Sequence, residues 1–305
     1  MAAPAPQLSP HGYVITKPVR GSDIPADLTF VLTRDEIYVP VAVRKPPGKG
    51  PFPAITMARG NGRGGMPFVE AQVERLASLQ DLIIRRGYVV ATVNYRNEIP
   101  LAYGSAARSN NLSDSMTAEG RTLKSVATLD SDDLVAAFDY LRTLPYVNGR
   151  IGAVGVSHSG EAILKAAAET NFDAGVAIEG ASHEFLSVDT GPGVPRKNGE
   201  IQYHDIELAR KNADKTKAME RIRRINTPIL HIGRDPDHLQ GIFKLAHEWM
   251  VEAGKDSTWV SFDHPDHGYP LVYRRPDGSY APDAVAQQAI DAFMAYFDKK
   301  LMNRG

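Results

Sequence analysis

The chain has 305 residues, of which 43% are hydrophobic and 23% are charged, and its formal net charge is −1 with a pI of about 6.8. This composition is typical of a globular protein with a large core, and the balanced charge predicts no surface for nucleic acid or anionic lipid. The chain has no cysteine, which excludes disulfides, cysteine-ligated zinc and a cysteine nucleophile.

The predicted elements alternate between strand and helix. In chain order they are strands at 28–34, 37–44 and 54–58, a helix at 67–86, a strand at 88–95, a helix at 130–144, a strand at 150–156, a helix at 158–170, strands at 173–180 and 228–233, a helix at 239–254, a strand at 258–264 and a helix at 282–301. This alternation predicts an α/β fold with a mostly parallel central sheet of about eight strands and helices on both faces. Ligands of such sheets bind at the carboxyl ends of the strands, so we expect the chemistry in the loops that follow them.

The remaining segments define the predicted domain organisation. We expect residues 1–27 to be an N-terminal extension and 28–305 to form a single domain, with insertions at 96–129 and 181–226 that form a small cap. The first ten residues, MAAPAPQLSP, lack the basic and apolar regions of a signal peptide, which predicts a cytoplasmic protein or the mature form of an exported one. No apolar run approaches the roughly 20 residues that span a membrane, so no membrane association is expected.

The sequence GVSHSG at 155–160 lies between a predicted strand and a predicted helix. Small residues two positions before and after Ser157 permit a sharp turn that exposes a serine in strained dihedrals. Ser159 is the weaker candidate, because Glu161 is too large for the same flanking position. We expect the backbone N–H of His158, at the start of the helix, to stabilise an oxyanion, and its side chain to form a pocket wall.

A serine hydroxyl becomes an effective nucleophile only beside a base, and the base needs an orienting group. His264 and His267 follow the last predicted strand, and Asp235 and Asp237 follow the strand before it. Because these residues come after neighbouring strands, the sequence predicts a Ser-His-Asp triad at the carboxyl edge of the sheet.

Five segments carry a resemblance to a known family. They are PFPAITMARGNG, RRGYVVATVNYR, DDLVAAFDYLRTLPYVNGRIGAVGVSHSG, INTPILHIGRDPDH and DHGY. Over about residues 30–300 the chain resembles the α/β-hydrolases, in particular the serine hydrolases similar to dienelactone hydrolase and prolyl oligopeptidase. The order Ser, Asp, His along the chain is the order in that fold.

The resemblance implies roles for the triad candidates. His267 is followed by a glycine and a tyrosine, as the family's base is, and His264 is left as a loop-packing or pocket residue. The family's acid follows a glycine in the segment G-x-x-D-P, and Asp235 fits it best. The spacing from Gly233 is one residue short, so Asp237 remains an alternative acid.

The resemblance also implies a second oxyanion donor in the loop after the third strand. There we expect the backbone N–H of Asn61, although Arg59 stands where the family usually has a histidine. The candidate substrate-binding residues are Arg59, Glu179, His183 and Tyr269.

The predicted function is therefore hydrolysis of a small-molecule carboxylic ester through an acyl-enzyme, without a cofactor or a metal. A serine peptidase or amidase of the same fold is the first alternative. The sequence shows no segment for the N-terminal propeller of the oligopeptidases, which makes an ester the default expectation.

Two further alternatives have less support. A metal-dependent hydrolase could use the histidines and aspartates after the last two predicted strands, which are Asp235, Asp237, His238, Asp263, His264, Asp266 and His267. No H-E-x-x-H motif is present, and a metal would leave the turn at Ser157 unexplained. A non-catalytic binding protein would leave all three triad residue types unexplained.

Overall fold

A computed structural model of the chain describes residues 7–9, 12–36, 38–58, 66–95, 130–275 and 277–302. The chain divides into two units. The first comprises Met1–Ile151 and Tyr273–Ala281, and the second comprises Gly152–Val272 and Pro282–Gly305.

The first unit consists of strands in the order β1-β2-β3-β4-β6-β5 and two helices. Its described strands are β1 (Gln7–Ser9), β2 (Gly12–Lys17), β3 (Ala26–Leu32), β4 (Tyr38–Arg44), β5 (Phe52–Ala58) and β6 (Val89–Val93), and its described helices are α1 (Met66–Arg85) and α2 (Asp130–Thr143). Neighbouring strands from β1 to β4 are antiparallel, as is the pair β4–β6, whereas β5 and β6 are parallel.

Helix α1 shows how the apolar pattern determines packing. Val69, Val73, Leu76 and Ile83, which the sequence places on one stripe, are all buried. The helix ends before Gly87, whose φ of 97° only glycine adopts readily, and its N–H donates to the Ile84 carbonyl at 2.8 Å. The predicted stripe and end of this helix are confirmed.

The second unit is built on parallel strands in the order β7-β8-β11-β12. These are β7 (Val147–Val156), whose residues from Gly152 onward belong to this unit, β8 (Ala174–Ile178), β11 (Ile229–Arg234) and β12 (Ser257–Phe262); a separate antiparallel hairpin is formed by β9 (Arg196–Lys197) and β10 (Glu200–Ile201). The described helices are α3 (His158–Glu169), α4 (Ile206–Lys211), α5 (Lys215–Arg224), α6 (Gln240–Glu252) and α7 (Ala284–Phe297), and a π-helical turn, Asp298–Met302, follows α7.

The parallel register brings the loops of the second unit together. Val156 pairs with Ile178, Ile178 pairs with Ile232, and Gly233 pairs with Ser261. The residues directly after β7 and β8 therefore lie level with the end of β11. The side chains that follow these strands meet at one edge.

The structure confirms the predicted α/β class and differs from the predictions in detail. The predicted extension, residues 1–27, contains β1, β2 and the first residues of β3. The predicted insertion at 181–226 contains the hairpin β9–β10 and helices α4 and α5, whereas that at 96–129 lies outside the described residues. Among the described helices, none combines the length and the apolar character that crossing a membrane requires.

A buried histidine in β11 makes the stability of the fold depend on pH. His231 is fully buried, its Nε2 has no hydrogen-bond partner, and its ring lies 5.9 Å from that of His247. Burial, followed by the nearby His247, lowers the pKa of His231 to about 3. The unfolded chain therefore binds a proton at this residue below pH 6.5 that the folded chain does not bind.

We expect acid to destabilise the protein through His231. Between pH 7.5 and pH 5 its contribution should lower the free energy of unfolding by about 2 kcal/mol. His231→Leu should remove this part of the pH dependence, while His204→Gln, at an exposed histidine, should retain it. Urea unfolding at the two pH values measures the difference, and equal pH dependence in wild type and His231→Leu would contradict the assignment.

Candidate active site

The turn predicted at Ser157 is present. Ser157 lies between β7 and α3 with φ 57° and ψ −118°, a conformation that is rare for a residue with a side chain. A Cβ added to Gly155 would lie 2.7 Å from the Ser159 Cβ, and one added to Gly160 would lie 2.6 Å from the Gly180 Cα. Neither contact leaves room for a side chain, so the sharp turn requires glycine on both sides of the serine.

Backbone hydrogen bonds hold this turn at the edge of the sheet. The N–H of Ser157 donates to the Ile178 carbonyl at 2.9 Å, and its carbonyl accepts from the N–H groups of Glu161 and Ala181 at 3.2 and 3.1 Å. His158 is the first residue of α3. The serine is therefore fixed at the N-terminus of a helix, where the helix dipole favours negative charge.

His267 follows β12, and the Nδ1 of its imidazole faces two carboxylates. Nδ1 forms a close ion pair with Glu179 Oε2 and lies 3.5 Å from Asp237 Oδ2. Both carboxylates are completely buried, whereas the imidazole is 46% exposed. A Cβ added to Gly268 would lie 3.3 Å from Val156 Cγ1, so the histidine loop packs against the residue that precedes the serine.

Among the hydrogen bonds of the described residues, none joins Ser157 Oγ to His267. Catalytic hydrogen bonds are commonly long in a free enzyme and shorten when the substrate is bound. The two carboxylates hold the imidazole of His267, and its loop packs against Val156, the residue before Ser157.

Glu179 is the site residue whose role the sequence did not indicate. It directly follows β8, and its backbone has a φ of 46°, which is strained for a residue other than glycine. Its N–H donates to the Ile232 carbonyl at 2.7 Å, and its carboxylate oxygens accept from the Gly268 N–H at 3.1 and 3.2 Å. The only signal in the sequence is a charged residue directly after a buried strand, which predicted a substrate contact instead.

Asp237, the alternative acid of the sequence analysis, lies beside the imidazole. Its Oδ2 accepts from Arg234 Nη2 at 2.6 Å, and its Oδ1 accepts from the Leu239 N–H at 2.8 Å. Burial raises the pKa of Asp237, but the hydrogen bonds from His267, Leu239 and Arg234 lower it more, so the net pKa is below its usual value. The carboxylate is therefore ionised at neutral pH.

Asp235, the preferred acid of the sequence analysis, does not contact His267. It is exposed, its Oδ1 accepts from the Ser261 hydroxyl, and its N–H continues the ladder to the Phe262 carbonyl at 2.9 Å. Asp235 lies in the turn directly after β11, and its bond to Ser261 directs the carboxylate to a residue of β12. The predicted contact is corrected: the carboxylates at the imidazole belong to Glu179 and Asp237.

Two opposing effects determine the pKa of His267. Burial lowers it, whereas the hydrogen bonds and negative charges of Asp237 and Glu179 raise it, and the net result is a pKa of about 9. The imidazole is consequently protonated at neutral pH in the free protein, and it becomes a base only above that range.

The remaining predicted residues have less direct positions. His264 is buried, its Nε2 pairs with Asp283 Oδ2 at 2.8 Å, and its ring stacks on that of Tyr269 at 4.6 Å. Tyr269 is also buried, and its hydroxyl donates to the Gly233 carbonyl at 3.2 Å, so it supports the histidine loop. His183 follows β8 and is partly buried. Arg59 and Asn61 lie outside the described residues.

The cluster that could bind a metal ion differs from the predicted one. Within the described part of the chain, Glu179, Asp237 and His267 offer ligand atoms within 4.8 Å of one another. The Arg234 guanidinium already donates to Asp237, and its Nε lies 3.7 Å from Glu179 Oε2. A divalent cation would have to bind beside this positive charge, so the arrangement fits a protonated imidazole better than a metal.

Comparison with known proteins identifies the fold. No family model and no curated relative matches the chain. Among solved structures, it is similar to the acylaminoacyl peptidase of Pyrococcus horikoshii, with 18% identity, a TM-score of 0.60, and coverage of 93% of this chain and 43% of that chain. The chain thus spans less than half the length of this peptidase.

Two esterases are matched over most of their length. Esterase Pf2001 of Pyrococcus furiosus has 14% identity, a TM-score of 0.56, and coverage of 91% of this chain and 93% of the esterase. The thermophilic esterase Est2 of the planctomycete Thermogutta terrifontis has 18% identity, a TM-score of 0.53, and coverage of 92% and 95%. The chain therefore has the α/β-hydrolase fold.

Proposed function

We propose that the protein is a serine hydrolase that cleaves a small carboxylic ester through an acyl-enzyme. The observation that carries the proposal is the arrangement at one edge of the parallel sheet. Ser157 occupies a strained turn at a helix N-terminus, and the loop of His267 packs against Val156, the residue before it. A serine without a catalytic role would need no strained turn. It would also need no nearby histidine that pairs with two buried carboxylates.

The proposed mechanism uses these residues in order. His267 removes the proton of Ser157 Oγ as that oxygen bonds to the acyl carbon, and the imidazolium then protonates the departing alcohol. The N-terminus of α3, with the His158 N–H, stabilises the oxyanion, and each such donor contributes about 3 kcal/mol to transition-state stabilisation. Water, deprotonated by His267, then attacks the acyl carbon, and the imidazolium returns the proton to Ser157 Oγ as the bond from that oxygen to the acyl carbon breaks and the acid leaves. Asn61 remains the proposed second oxyanion donor.

The proposal of an ester, rather than a peptide, is supported by the extent of the similarities. Both esterases match over more than nine tenths of their length, whereas the acylaminoacyl peptidase matches over 43% of its own. The fold alone does not determine the bond that is cleaved. The peptidase has the higher TM-score, 0.60, which makes cleavage of an amide the second candidate.

A substrate panel separates these two functions. We expect p-nitrophenyl esters of graded acyl length to be cleaved, and aminoacyl p-nitroanilides to show no hydrolysis above the spontaneous rate. Ser157→Ala should remove activity on the esters, so it controls for contaminating esterase. Hydrolysis of the anilides that is lost in Ser157→Ala would support the peptidase instead.

The activity should rise with pH. Only the neutral imidazole of His267 can accept the serine proton, and its pKa is about 9. We therefore expect kcat/KM for p-nitrophenyl acetate to increase about tenfold per pH unit below pH 8 and to level off above pH 9. The rates of spontaneous hydrolysis are subtracted at each pH. A kcat/KM that is constant from pH 6 to pH 9 would contradict a base with the raised pKa of His267.

A further inference from the structure

Arg234, the last residue of β11, contacts both carboxylates at His267 and the backbone of the loop that carries this histidine. Its Nη2 donates to Asp237 Oδ2 at 2.6 Å, and its Nη1 donates to the carbonyls of His264 and Pro265 at 3.3 and 3.0 Å. Its Nε lies 3.7 Å from Glu179 Oε2. One guanidinium therefore links the loops that follow β8, β11 and β12.

The guanidinium also balances the charge at the imidazole. Glu179 and Asp237 bring two carboxylates together in a fully buried position beside the imidazole. Arg234 is itself buried, and its Nε has no hydrogen-bond partner. Its positive charge lies beside both carboxylates, so it offsets part of the negative charge that faces the imidazole.

The other polar groups near the two carboxylates are histidines and a tyrosine. The His238 Nδ1 lies 3.4 Å from Asp237 Oδ1, and the His204 Nδ1 lies 2.8 Å from the Asp237 carbonyl. Tyr269 contacts the Gly233 carbonyl through its hydroxyl. Of the described groups that face the two carboxylates, Arg234 is the one that carries a permanent positive charge.

We propose that Arg234 is a positioning residue for the hydrolysis: its guanidinium holds the carboxylates of Glu179 and Asp237 in place at His267 Nδ1, and it anchors the backbone of the histidine loop. This inference rests on the proposed function for its catalytic meaning. Its effect on the imidazole can be measured without turnover.

The test is an NMR titration of the His267 imidazole in the full chain, with the signal assigned through His267→Gln. Arg234→Met removes the permanent positive charge beside the two carboxylates, so their negative charge acts on the imidazole with less opposition and the pKa of His267 should rise by roughly one unit. The acid limb of the pH profile of kcat/KM for p-nitrophenyl acetate should move upward by the same amount, with a loss in kcat larger than the change in KM. Arg234→Lys, which keeps the charge, should restore the position of the limb while kcat stays reduced.

Arg221→Met is the matched control. Arg221 also donates to two backbone carbonyls, those of Glu184 and Phe185, but the described contacts show no carboxylate beside it. Its loss should leave the titration of His267 unchanged. Circular dichroism and thermal unfolding establish that each variant is folded.

The outcomes separate this inference from the proposed function. An unchanged pKa of His267 in folded Arg234→Met, or an equal loss of activity at every pH, would mean that Arg234 is only structural and would overturn the inference. Full activity of Ser157→Ala would overturn the serine mechanism instead, and the titration of His267 would still test the role of Arg234. If Arg234→Met does not fold, Arg234→Lys is decisive: kcat equal to that of wild type would overturn the anchoring role.

Discussion

Ser157→Ala is expected to abolish ester hydrolysis. Alanine keeps the Cβ and the turn but removes the only oxygen that could form the acyl-enzyme in the proposed mechanism. In serine hydrolases the triad serine contributes about 10⁶-fold to kcat, and the oxyanion donors alone retain about 10³- to 10⁴-fold over water. We therefore expect a loss of about 10⁴-fold or more in kcat, together with loss of the burst of p-nitrophenol from p-nitrophenyl acetate.

Ser159→Ala provides the matched control for this experiment. Ser159 lies on the same turn and is fully buried, and its Cβ, which alanine retains, is the atom that approaches Gly155. We expect its kcat to remain within a few-fold of wild type. A larger loss in Ser159→Ala than in Ser157→Ala would reverse the assignment of the nucleophile.

Removal of the charges at His267 Nδ1 should have the next largest effect. A triad acid contributes about 10⁴-fold to kcat by holding the imidazole in the productive tautomer and by stabilising its positive charge. Because Glu179 and Asp237 share this position, each isosteric amide, Glu179→Gln or Asp237→Asn, should lose part of that factor, about 10²-fold in kcat. Each should also shift the acid limb of the pH profile to lower pH, since one negative charge fewer stabilises the imidazolium.

Asp235→Asn is the control for the two amides. Asp235 is exposed and bonded to Ser261, so its substitution should change kcat by less than about twofold. Steady-state kinetics on p-nitrophenyl acetate between pH 6 and pH 10 would measure all three variants. If Asp235→Asn were the most damaging of the three, the contacts at the imidazole would not be those used in catalysis.

The parts of the site encoded by adjacent residues could be predicted from the sequence. The turn at Ser157 follows from glycines at fixed offsets between a strand and a helix, which is a local steric requirement. The position after the last strand leaves His264 and His267 as candidates, and the resemblance to the family, whose base precedes a glycine and an aromatic residue, favours His267. These predictions needed no knowledge of distant contacts.

The identity of the carboxylates could not be predicted in the same way. Asp235 and Asp237 lie in the same short turn, and the conformation of that turn decides which carboxylate faces the imidazole. The Asp237 N–H donates to the Arg234 carbonyl at 2.9 Å, and in this turn the Asp237 carboxylate lies beside His267. Glu179 meets His267 because β8 and β11 pair in register, with Ile178 opposite Ile232. Such contacts depend on tertiary structure that a single sequence does not specify.

The N-terminal strands escaped prediction for another reason. β1 has three residues and β2 has six, and they pair antiparallel at one end of the strand order of the first unit. Short edge strands carry little of the buried apolar pattern on which prediction relies. Arg59, Asn61 and the insertion at 96–129 lie outside the described residues, and the roles given to them stay predictions.

Covalent labelling with a fluorophosphonate, followed by mass spectrometry of the peptides, tests most directly whether Ser157 and His267 work as one unit. We expect a single adduct, on Ser157, formed at a rate that rises with pH as His267 loses its proton and that drops sharply in His267→Gln. No adduct on the folded protein, or labelling of Ser157 at the same rate in His267→Gln, would contradict it.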